Sequence, residues 1–378
     1  MKIGYDGKRA VQNFTGLGNY SRFILSILCR YHPQYNYLLY APKERKNPSL
    51  DLILKQYPRL KCILPDTDFW KKFSSIWRIW GISKQLQKEN IDIFHGLSNE
   101  LPLNIKGHNI KSIVTIHDLI FLRYPEYYHF IDRKIYTYKF RKACENADKI
   151  IAISECTKRD IINYFHISPD KISVIYQGCD DAFKKKITEK EKCIVREKYN
   201  LPTNYILNVG SIEERKNLLI ILKALAHPQN SDIHLVAIGK RTKYTNQVEE
   251  FARQHNMVDR ITILNKVPFE DLPALYQSAD LFIYPSRFEG FGIPIIEAIH
   301  SGLPVIAATG SCLEEAGGPN SLYISPDDDE SLAQAIYRIL HDDHLREQMI
   351  SQGIQYVERF DDKVIADGII EVYQNVMR

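Results

Sequence analysis

The sequence lacks any apolar run long enough to cross a membrane, and it lacks a secretory signal. No stretch approaches the ~18 consecutive apolar residues of a membrane helix, and the opening "MKIGYDGKRA" has no apolar signal-peptide core. The 7 cysteines show no paired spacing of the kind that metal sites use, which favours reduced, structural thiols. We therefore expect a cytoplasmic protein.

A large excess of charge of one sign is also missing. Lys and Arg number 50 against 46 Asp and Glu, so the formal net charge is only +4, and the charges are dispersed. Such a weak excess permits contact with phosphates or with an anionic membrane face, but it does not require a nucleic acid. We predict no nucleic-acid partner.

The chain does have the length and the pattern of two α/β domains. Its 378 residues exceed the ~250–300 at which a single core stops growing. Short apolar runs alternate with amphipathic helical stretches, as in βαβ units around a parallel sheet. The predicted fold class is α/β, with two doubly wound, Rossmann-like domains. Strands are predicted at residues 2–6, 37–40, 91–95, 112–117, 149–154, 172–176, 205–210, 234–239, 261–264, 281–284 and 305–308.

A polar segment separates the two halves. The stretch "QGCDDAFKKKITEKEKC" is dense in charge and reads as a linker rather than an element. We place the boundary near residue 186, which gives domains of 1–186 and 187–360. The tail, about 360–378, has apolar residues at helical spacing. This helix could lie across either half, and we assign it to the first domain.

Ligands of open parallel sheets bind beyond the carboxyl ends of the strands, so the loops there are candidate sites. Gly16 and Gly18 follow the first strand and precede a helix, where glycines let the backbone approach an anion at the helix N-terminus. The full dinucleotide pattern fails because Ser21 stands where a third glycine belongs. A simple glycine turn explains the pair equally well.

A second candidate loop follows the strand that ends at Gly210. Arg215 and Lys216 lie just before a helix that begins near Asn217, although the helix dipole disfavours cations there. This conflict suggests that a bound anion compensates, and the pair could clamp a diphosphate. The alternative is a solvated pair of surface charges.

The most specific candidate is "FEGFGIPIIEA" at residues 288–298. Glu289 lies in a loop, and Glu297 lies about one turn inside a helix whose start is marked by Pro294. The two carboxylates would grip a polyhydroxylated ligand at two points, with the backbone amides of the intervening residues beside them. Those amides belong to Gly290, Phe291, Gly292 and Ile293. A glycosidase acid and nucleophile would also use two carboxylates, but anion-binding loops would be superfluous in a hydrolase.

Several of these segments resemble one family. "SRFEGFGIPIIEAIHSGLPVIA" is similar to the E-x7-E signature of the family 4 glycosyltransferases, retaining enzymes with the GT-B fold, in which two Rossmann-like domains face a cleft. "VGSIEERKN" resembles the phosphate-binding segment of that family, and "VTIHDLIFLRYPE" resembles its N-terminal domain loop. The resemblance covers most of the chain and is weakest at 30–90. It departs at the domain junction, where the usual Asn-Gly reads Gln177-Gly178.

The resemblance implies a role for each motif of the second domain. Glu289 and the segment 290–292 would contact the donor sugar, and Glu297 would hold the ribose hydroxyls. Arg215 and Lys216 would neutralise the leaving diphosphate, an electrostatic contribution that is large in such transfers. Gly210 belongs to the same donor-binding set.

In the first domain, the resemblance brings Gly16 and Gly18 to the donor phosphates and His117 to the transferred sugar. Taken alone, His117 fits equally well as a strand-end histidine with a local hydrogen bond. The family also implies front-face attack with retention of configuration, without a cofactor or a metal ion. The run "PDDDE" at 326–330 reads as a helix cap rather than as a metal ligand set.

These observations predict a hexosyltransferase. Its donor would be a nucleotide-diphosphate sugar. The "RKN" and "HDL" segments resemble those of mannosyltransferases that use GDP-mannose, and this resemblance favours that donor. Its acceptor would be a glycan or lipid-linked glycan of a bacterial surface polysaccharide such as lipopolysaccharide. A sugar-nucleotide epimerase would turn over the donor without an acceptor, and a phosphorylase would need inorganic phosphate. A non-catalytic scaffold that binds nucleotide sugars is the alternative from another class.

All three tryptophans lie in "DFWKKFSSIWRIW", at residues 68–80. Phe69, Phe73, Ile76 and Trp80 share one helical stripe, Trp70 and Trp77 lie beside it, and basic residues interleave. This pattern fits a peripheral contact of residues 69–80 with an anionic membrane, where lipid-linked acceptors reside. An aromatic stripe packed in a core is the other interpretation.

Overall fold

The computed structural model describes residues 1–378, which form two compact units. Unit 1 comprises Met1–Gln177 with Asp361–Arg378, and unit 2 comprises Gly178–Phe360. The division falls before the predicted boundary at 186. The reason is Phe183, whose buried ring packs against Tyr276 at a centroid distance of 5.2 Å and so ties the predicted linker to unit 2.

The strands of both units are short, and most are buried. In unit 1 they are β1 (Lys2–Asp6), β2 (Asn36–Tyr40), β3 (Lys61–Ile63), β4 (Ile93–Gly96), β5 (Lys111–Ile116), β6 (Lys149–Ala152) and β7 (Ile172–Val174). In unit 2 they are β8 (Ile206–Val209), β9 (Leu235–Ile238), β10 (Ile261–Leu264), β11 (Leu281–Tyr284), β12 (Val305–Ala308) and β13 (Leu322–Ile324).

Helices connect these strands. From the N-terminus they are α1 (Lys8–Gln12), α2 (Gly16–Tyr31), α3 (Pro48–Gln56), α4 (Asp68–Lys72), α5 (Ser74–Ile76), α6 (Ile82–Lys88), α7 (Ile120–Arg123), α8 (Phe130–Asn146) and α9 (Glu155–Phe165). They continue with α10 (Glu189–Lys198), α11 (Leu218–Ala226), α12 (Tyr244–Gln254), α13 (Leu272–Gln277), α14 (Ile293–His300), α15 (Leu313–Gly317), α16 (Asp329–His341), α17 (Asp343–Val357) and α18 (Asp362–Met377).

Both sheets are parallel and doubly wound. The strand order is β3-β2-β1-β4-β5-β6-β7 in unit 1 and β10-β9-β8-β11-β12-β13 in unit 2. Each order reverses once, between β1 and β4 and between β8 and β11, which is the arrangement of Rossmann-like folds. The predicted fold class is therefore confirmed.

Two strands were not predicted, β3 and β13. Each has 3 residues, and neither is buried along its whole length, so neither produces the apolar run by which the other strands are recognised. β3 pairs with β2 at one edge of its sheet, and β13 pairs with β12. Sheet pairing, rather than local sequence, makes these segments strands.

The C-terminal helix α18 belongs to unit 1 and packs against α2. His32 Nε2 lies 2.8 Å from an oxygen of Asp367, and the buried hydroxyl of Tyr373 lies 2.7 Å from Nδ1 of His95. These contacts attach the end of the chain to the C-terminal end of α2 and to β4.

Asp328 caps α16, as expected of the run "PDDDE". Its Oδ1 accepts a hydrogen bond from the backbone N–H of Ser331 at 2.9 Å, and its other oxygen accepts one from the Ser331 hydroxyl at 2.6 Å. No group of three or more His, Cys, Asp or Glu side chains in the structure is placed to hold a metal ion. The seven cysteines are all free thiols.

The tryptophan segment is not one continuous helix. After α4 and α5 it forms a π-helical turn, Trp77–Gly81, and then enters α6. Trp77 is fully buried and donates a hydrogen bond from Nε1 to Gln85 at 3.1 Å, so it belongs to the core and cannot contact a membrane. The predicted stripe, in contrast, is exposed, with exposed fractions between 40% and 61%. It comprises Phe69, Phe73, Ile76 and Trp80. No helix in the structure is both long enough and apolar enough to span a bilayer.

Candidate functional site

The candidate site of unit 2 lies where the strand order reverses. β8 leads into the loop that carries Arg215 and Lys216, and its neighbour β11 leads into the loop that carries Glu289. Because the strands are parallel, both loops leave the same edge of the sheet. This is the place where open α/β sheets bind their ligands.

Three predicted residues meet there. Lys216 Nζ lies 2.5 Å from Oε1 of Glu289, and Arg215 Nη1 lies 2.9 Å from the same oxygen. The hydroxyl of Tyr284, the last residue of β11, lies 2.6 Å from Lys216 Nζ and 3.3 Å from that oxygen. One carboxylate is thus held by two cations and a phenol.

The electrostatics of this cluster follow from its burial and its charges. Burial alone would raise the pKa of Glu289, but the nearby Lys216 and Arg215 outweigh it and lower the pKa to about 2. Burial would lower the pKa of Lys216, but Glu289 raises it above its usual value. Burial and the charge of Glu289 together raise the pKa of Tyr284 to about 12. At neutral pH the carboxylate and both cations are charged.

These contacts correct the idea of Arg215 and Lys216 as solvated surface charges. Their side chains are only 17% and 15% exposed, and both are paired. The conflict between the cations and the helix that follows is resolved by Glu289 within the chain itself. A donor diphosphate would therefore compete with this carboxylate for the cations.

The two loops are also joined through their backbones. Arg215 donates a hydrogen bond from Nη1 to the carbonyl of Phe288, and its own carbonyl accepts one from the N–H of Arg287 at 2.9 Å. Asn217, in the left-handed conformation with φ 58°, donates from its side chain to the carbonyls of Pro285 at 3.3 Å and Pro326 at 2.7 Å. The cations are thus fixed relative to Glu289.

The segment after Glu289 turns sharply into α14. Gly292 has φ 133°, a conformation that residues with a Cβ rarely adopt. Phe291 is buried, with its ring 5.3 Å from that of Phe360, so only its backbone could contact a ligand. The thiol of Cys312 lies 3.0 Å from the carbonyl of Glu289 and 2.9 Å from that of Phe291. These two contacts help to fix the backbone of the loop.

Glu297 occupies a different environment from Glu289. It lies on α14, and its Oε2 accepts a hydrogen bond from the hydroxyl of Tyr276 at 2.9 Å. No cation is paired with it, and burial raises its pKa to about 7, which the hydrogen bond from Tyr276 only partly offsets. Near neutral pH this carboxyl group therefore changes its charge.

A row of three stacked aromatic rings connects the tyrosine beside Glu289 to the tyrosine beside Glu297. Tyr284, beside Glu289, stacks on Phe282 at 5.9 Å, and Phe282 stacks on Tyr276, beside Glu297, at 5.4 Å. Phe282 and Tyr284 both lie on β11, and Tyr276 lies on α13. The tyrosine beside each carboxyl group thus lies on a strand or a helix, whereas the cations that pair with Glu289 lie in a loop.

In unit 1, His117 follows β5 and is buried. Its Nε2 lies 2.9 Å from the carbonyl of Leu97, so that nitrogen carries the proton and donates, and Nδ1 is the acceptor of the neutral ring. The backbone N–H of His117 donates to Asn99 at 2.8 Å. Burial lowers the pKa of His117 to about 4. The local hydrogen bond considered for this histidine is present, and its role towards a sugar stays a prediction.

The two glycines of the first loop differ. A Cβ on Gly18 would come within 1.9 Å of the carbonyl of Asn13, so packing alone requires glycine there. Gly16, the first residue of α2, is exposed, and a Cβ on it would meet nothing within 4 Å. Gly18 therefore has a structural explanation, and a phosphate contact of either residue stays a prediction.

Three residues of the site were not identified from the sequence: Tyr276, Tyr284 and Cys312. Tyr284 carried a usable signal, because it is the last residue of a predicted strand and therefore lies at the ligand-binding edge. Tyr276 and Cys312 carried none, since each reaches its partner through tertiary packing: they lie 21 residues before Glu297 and 23 residues after Glu289, respectively.

Two family descriptions match this sequence in succession. The family described as Glycosyltransferase Family 4 matches residues 30–183. The family described as Glycosyl transferases group 1 matches residues 189–356, which include the Glu289 cluster and Glu297. The sequence is thus matched on both sides of the division between the units.

Similar proteins include two O-antigen mannosyltransferases. O-antigen chain mannosyltransferase B of Escherichia coli is 30% identical over 274 residues, which cover 71% of this chain and 70% of that protein. O-antigen chain mannosyltransferase RfbU of Salmonella typhimurium is 31% identical over 253 residues, 66% of this chain and 65% of that protein. The crystal structure of Anabaena HepE in complex with UDP and glucose has a TM-score of 0.76 at 19% identity, over 99% of this chain and 100% of that chain. This last likeness shows a shared fold.

Proposed function

Since this chain belongs to the family 4 glycosyltransferases, we propose that it moves a hexose from a nucleotide-diphosphate sugar to a glycan or lipid-linked acceptor, with retention of configuration. The acceptor would be an intermediate of a bacterial surface polysaccharide. The names of the two O-antigen mannosyltransferases support mannose, and hence GDP-mannose, as the donor. The free cysteines suit a reducing cytoplasm as the place of reaction.

The observation that carries this proposal is the placement of two cations around one ionised carboxylate at the switch point of unit 2. Lys216 and Arg215 would bind the donor diphosphate and stabilise the charge that develops as it leaves. Glu289, displaced from the cations, would then accept hydrogen bonds from the sugar hydroxyls. Glu297 would accept hydrogen bonds from the ribose.

The proposed step needs no enzymatic nucleophile. The bond between the anomeric carbon and the β-phosphate oxygen breaks, and the leaving phosphate keeps the electron pair. The acceptor hydroxyl forms the new bond on the same face and gives its proton to the leaving phosphate. Because Lys216 and Arg215 supply the positive charge, we expect turnover without a divalent ion.

The test of this proposal is a comparison of nucleotides. UDP, GDP and ADP and their common sugar conjugates are each added, with and without EDTA, and thermal unfolding is followed. A ligand at ~100 times its dissociation constant adds about 2.7 kcal/mol of stability, which shifts the midpoint measurably. Selective stabilisation by GDP and GDP-mannose that survives EDTA, together with mannose transfer to an acceptor, is the expected result.

Each other outcome points to one of the alternatives. Turnover of the donor without any acceptor would indicate an epimerase, and a requirement for inorganic phosphate would indicate a phosphorylase. Tight binding of a sugar nucleotide without turnover, whichever acceptor is supplied, would support a non-catalytic scaffold. No stabilisation by any nucleotide would contradict the proposal.

We also propose that the exposed stripe of residues 69–80 contacts an anionic membrane. Apolar side chains there interleave with Lys71 and Lys72, a combination that suits an interface with acidic lipids. Trp80→Ala should reduce co-sedimentation with vesicles containing phosphatidylglycerol. Leu52→Ala, which removes another exposed apolar side chain of unit 1, is the matched control. Equal binding of both variants would contradict the proposed contact.

A further inference from the structure

A cavity of about 330 Å³ opens in unit 1 beside α8. Ile79 of the π-helical turn and Leu101 and Leu103 of the segment after β4 form one part of its apolar wall, and Ile135 and Tyr138 of α8 form the other. Ligand pockets of proteins measure ~300–1,000 Å³ and are lined mainly by apolar side chains. Size and lining therefore both suit a small apolar group.

The cavity also has a charged rim, formed by Glu100, Lys134 and Lys139. Glu100 is already neutralised, because Arg78 Nη1 lies 2.5 Å and Lys139 Nζ lies 3.7 Å from its two oxygens. Lys134 is not needed for this pairing; its ammonium lies 5.4 Å from the centre of the Phe130 ring. Two lysines at the rim against one carboxylate leave positive charge for an anionic group.

The position of the cavity is that of a ligand site. Asp6 ends β1, and Glu100 follows β4, the two neighbours between which the strand order of unit 1 reverses. Arg78 joins them, since its Nη2 lies 2.5 Å from an oxygen of Asp6. The charged end of the cavity is therefore at the switch point of the sheet, where open α/β folds bind ligands.

The helix beside the cavity, α8, carries several apolar side chains that are exposed to solvent. Their exposed fractions lie between 37% and 71%, although helices of globular proteins normally turn such residues to the core. They are Phe130, Ile131, Ile135, Tyr136 and Tyr138. Residues 130–142 also contain five cationic residues and a single acidic one, in "FIDRKIYTYKFRK". Apolar and basic groups on one helix match an amphiphile with an anionic head.

We infer that this cavity takes the hydrocarbon chain of an anionic amphiphile, with its phosphate beside Lys134 and Lys139. The inference rests on the proposed transfer to a lipid-linked acceptor, of which it specifies the lipid part. A free glycan would leave the apolar wall unmatched, and free phosphate would use only the lysines. A phosphorylated lipid uses both.

The test is a calorimetric titration of the full chain with three probes: decyl phosphate below its micellar concentration, decyl maltoside, and inorganic phosphate. Decyl phosphate should bind saturably, and decyl maltoside, which lacks the charge, should bind about tenfold more weakly. Inorganic phosphate should show no comparable binding. Equal binding of decyl phosphate and decyl maltoside, or equal binding of both phosphates, would overturn the inference.

Two tryptophan substitutions locate the binding. Ile135→Trp fills the cavity and should weaken decyl phosphate binding about tenfold. Ile194→Trp makes the same change at an exposed residue of α10 in unit 2, away from the cavity and from α8, and should leave binding unchanged. If Ile135→Trp binds as the unsubstituted chain does, or if both variants lose binding equally, the cavity is not the site.

The outcomes separate this inference from the proposed transferase activity. Failure of decyl phosphate to bind a chain that transfers mannose to a lipid-linked acceptor would refute the cavity and leave the activity standing. Saturable binding of decyl phosphate, lost in Ile135→Trp, by a chain that binds no nucleotide sugar would support the cavity and refute the activity.

Discussion

The switch points of the two sheets each bring a carboxylate to a guanidinium, but the surroundings differ. In unit 1, Arg78 joins Asp6 to Glu100, and an apolar cavity lies beside them. In unit 2, Glu289 pairs with both Arg215 and Lys216, and all three residues lie in loops. The same topology thus offers an apolar, cationic recess in one unit and a compact ionic cluster in the other. Side chains, not the fold, decide which ligand each switch point can take.

The two ionic clusters also differ in how deeply they are buried. The side chains of Arg78 and Asp6 are 10% and 5% exposed, against 17% and 13% for Arg215 and Glu289. Arg78 is held between two carboxylates of its own unit, whereas a diphosphate could replace Glu289 at its cations. We therefore expect damage to the unit 1 cluster to appear in stability, and damage to the unit 2 cluster to appear in activity.

The largest effect is expected from Arg78→Ala. Removal of this guanidinium leaves two carboxylates of unit 1 without their main partner, and breaking a buried ion pair in this way costs ~3–5 kcal/mol. Urea unfolding followed by tryptophan fluorescence measures it, because all three tryptophans lie in unit 1. Lys71→Ala, which removes an ion pair with Asp68 whose side chains are 58% and 98% exposed, is the control and should cost less than about 1 kcal/mol. Equal costs would mean that the buried cluster contributes no more than a surface pair.

The next effect is expected in catalysis. Lys216→Ala should lower kcat by ~10²–10³, the loss that follows removal of one group that stabilises transition-state charge. Glu289 would keep Arg215 as a partner, so the unfolding midpoint should change little. Lys223→Ala, on the exposed side of the following helix, should leave kcat unchanged. Normal turnover by Lys216→Ala would remove this lysine from the reaction.

The strands that consist of a clear apolar run were predicted from the sequence, and the two strands that lack such a run were missed. The strands at 261–264, 281–284 and 305–308 have the predicted bounds, whereas β3 and β13 depend on pairing at the sheet edges. The same distinction applies to Trp77 and Trp80. Both lie in one aromatic pattern, and only the tertiary structure shows that one is core and the other is 50% exposed.

The candidate site was predictable in its residues but not in its contacts. Spacing and loop position identified Glu289, Arg215 and Lys216, and the dipole argument indicated that an anion should compensate the cations. That the anion is Glu289 itself could not be read from the sequence, because the two loops are about 70 residues apart and meet only through the pairing of β8 with β11.

A smaller effect concerns pH and the two glutamates of the candidate site in unit 2. Burial raises the pKa of Glu297 to about 7, whereas the cations lower that of Glu289 to about 2, so only Glu297 titrates near neutrality. If its carboxylate accepts hydrogen bonds from the ribose, donor affinity should be greatest above pH 7 and should fall by up to about tenfold per unit below it. His117, with a pKa lowered to about 4, does not interfere in this range.

Calorimetric titration of the protein with the donor itself, the sugar nucleotide GDP-mannose, at several pH values between 6 and 8 measures this dependence. Glu297→Gln is the matched variant, since it keeps the shape of the side chain and cannot ionise; its affinity should be lower and independent of pH in this range. A pH dependence that persists in Glu297→Gln would assign the titration to another group.

The smallest effect is expected from Cys312, whose thiol contacts the backbone of the loop that carries Glu289. Its thiol lies within 3.0 Å of the carbonyls of Glu289 and Phe291 and can donate to either. Cys312→Ala removes this donor and leaves a small void, which should cost about 1 kcal/mol and raise KM for the donor a few-fold, because the loop is held less firmly. Cys312→Ser keeps a donor at the same place and should restore much of the affinity. If the two variants have the same KM, the thiol acts through its volume alone, and the loop is held by Gly292 and the packing of Phe291 instead.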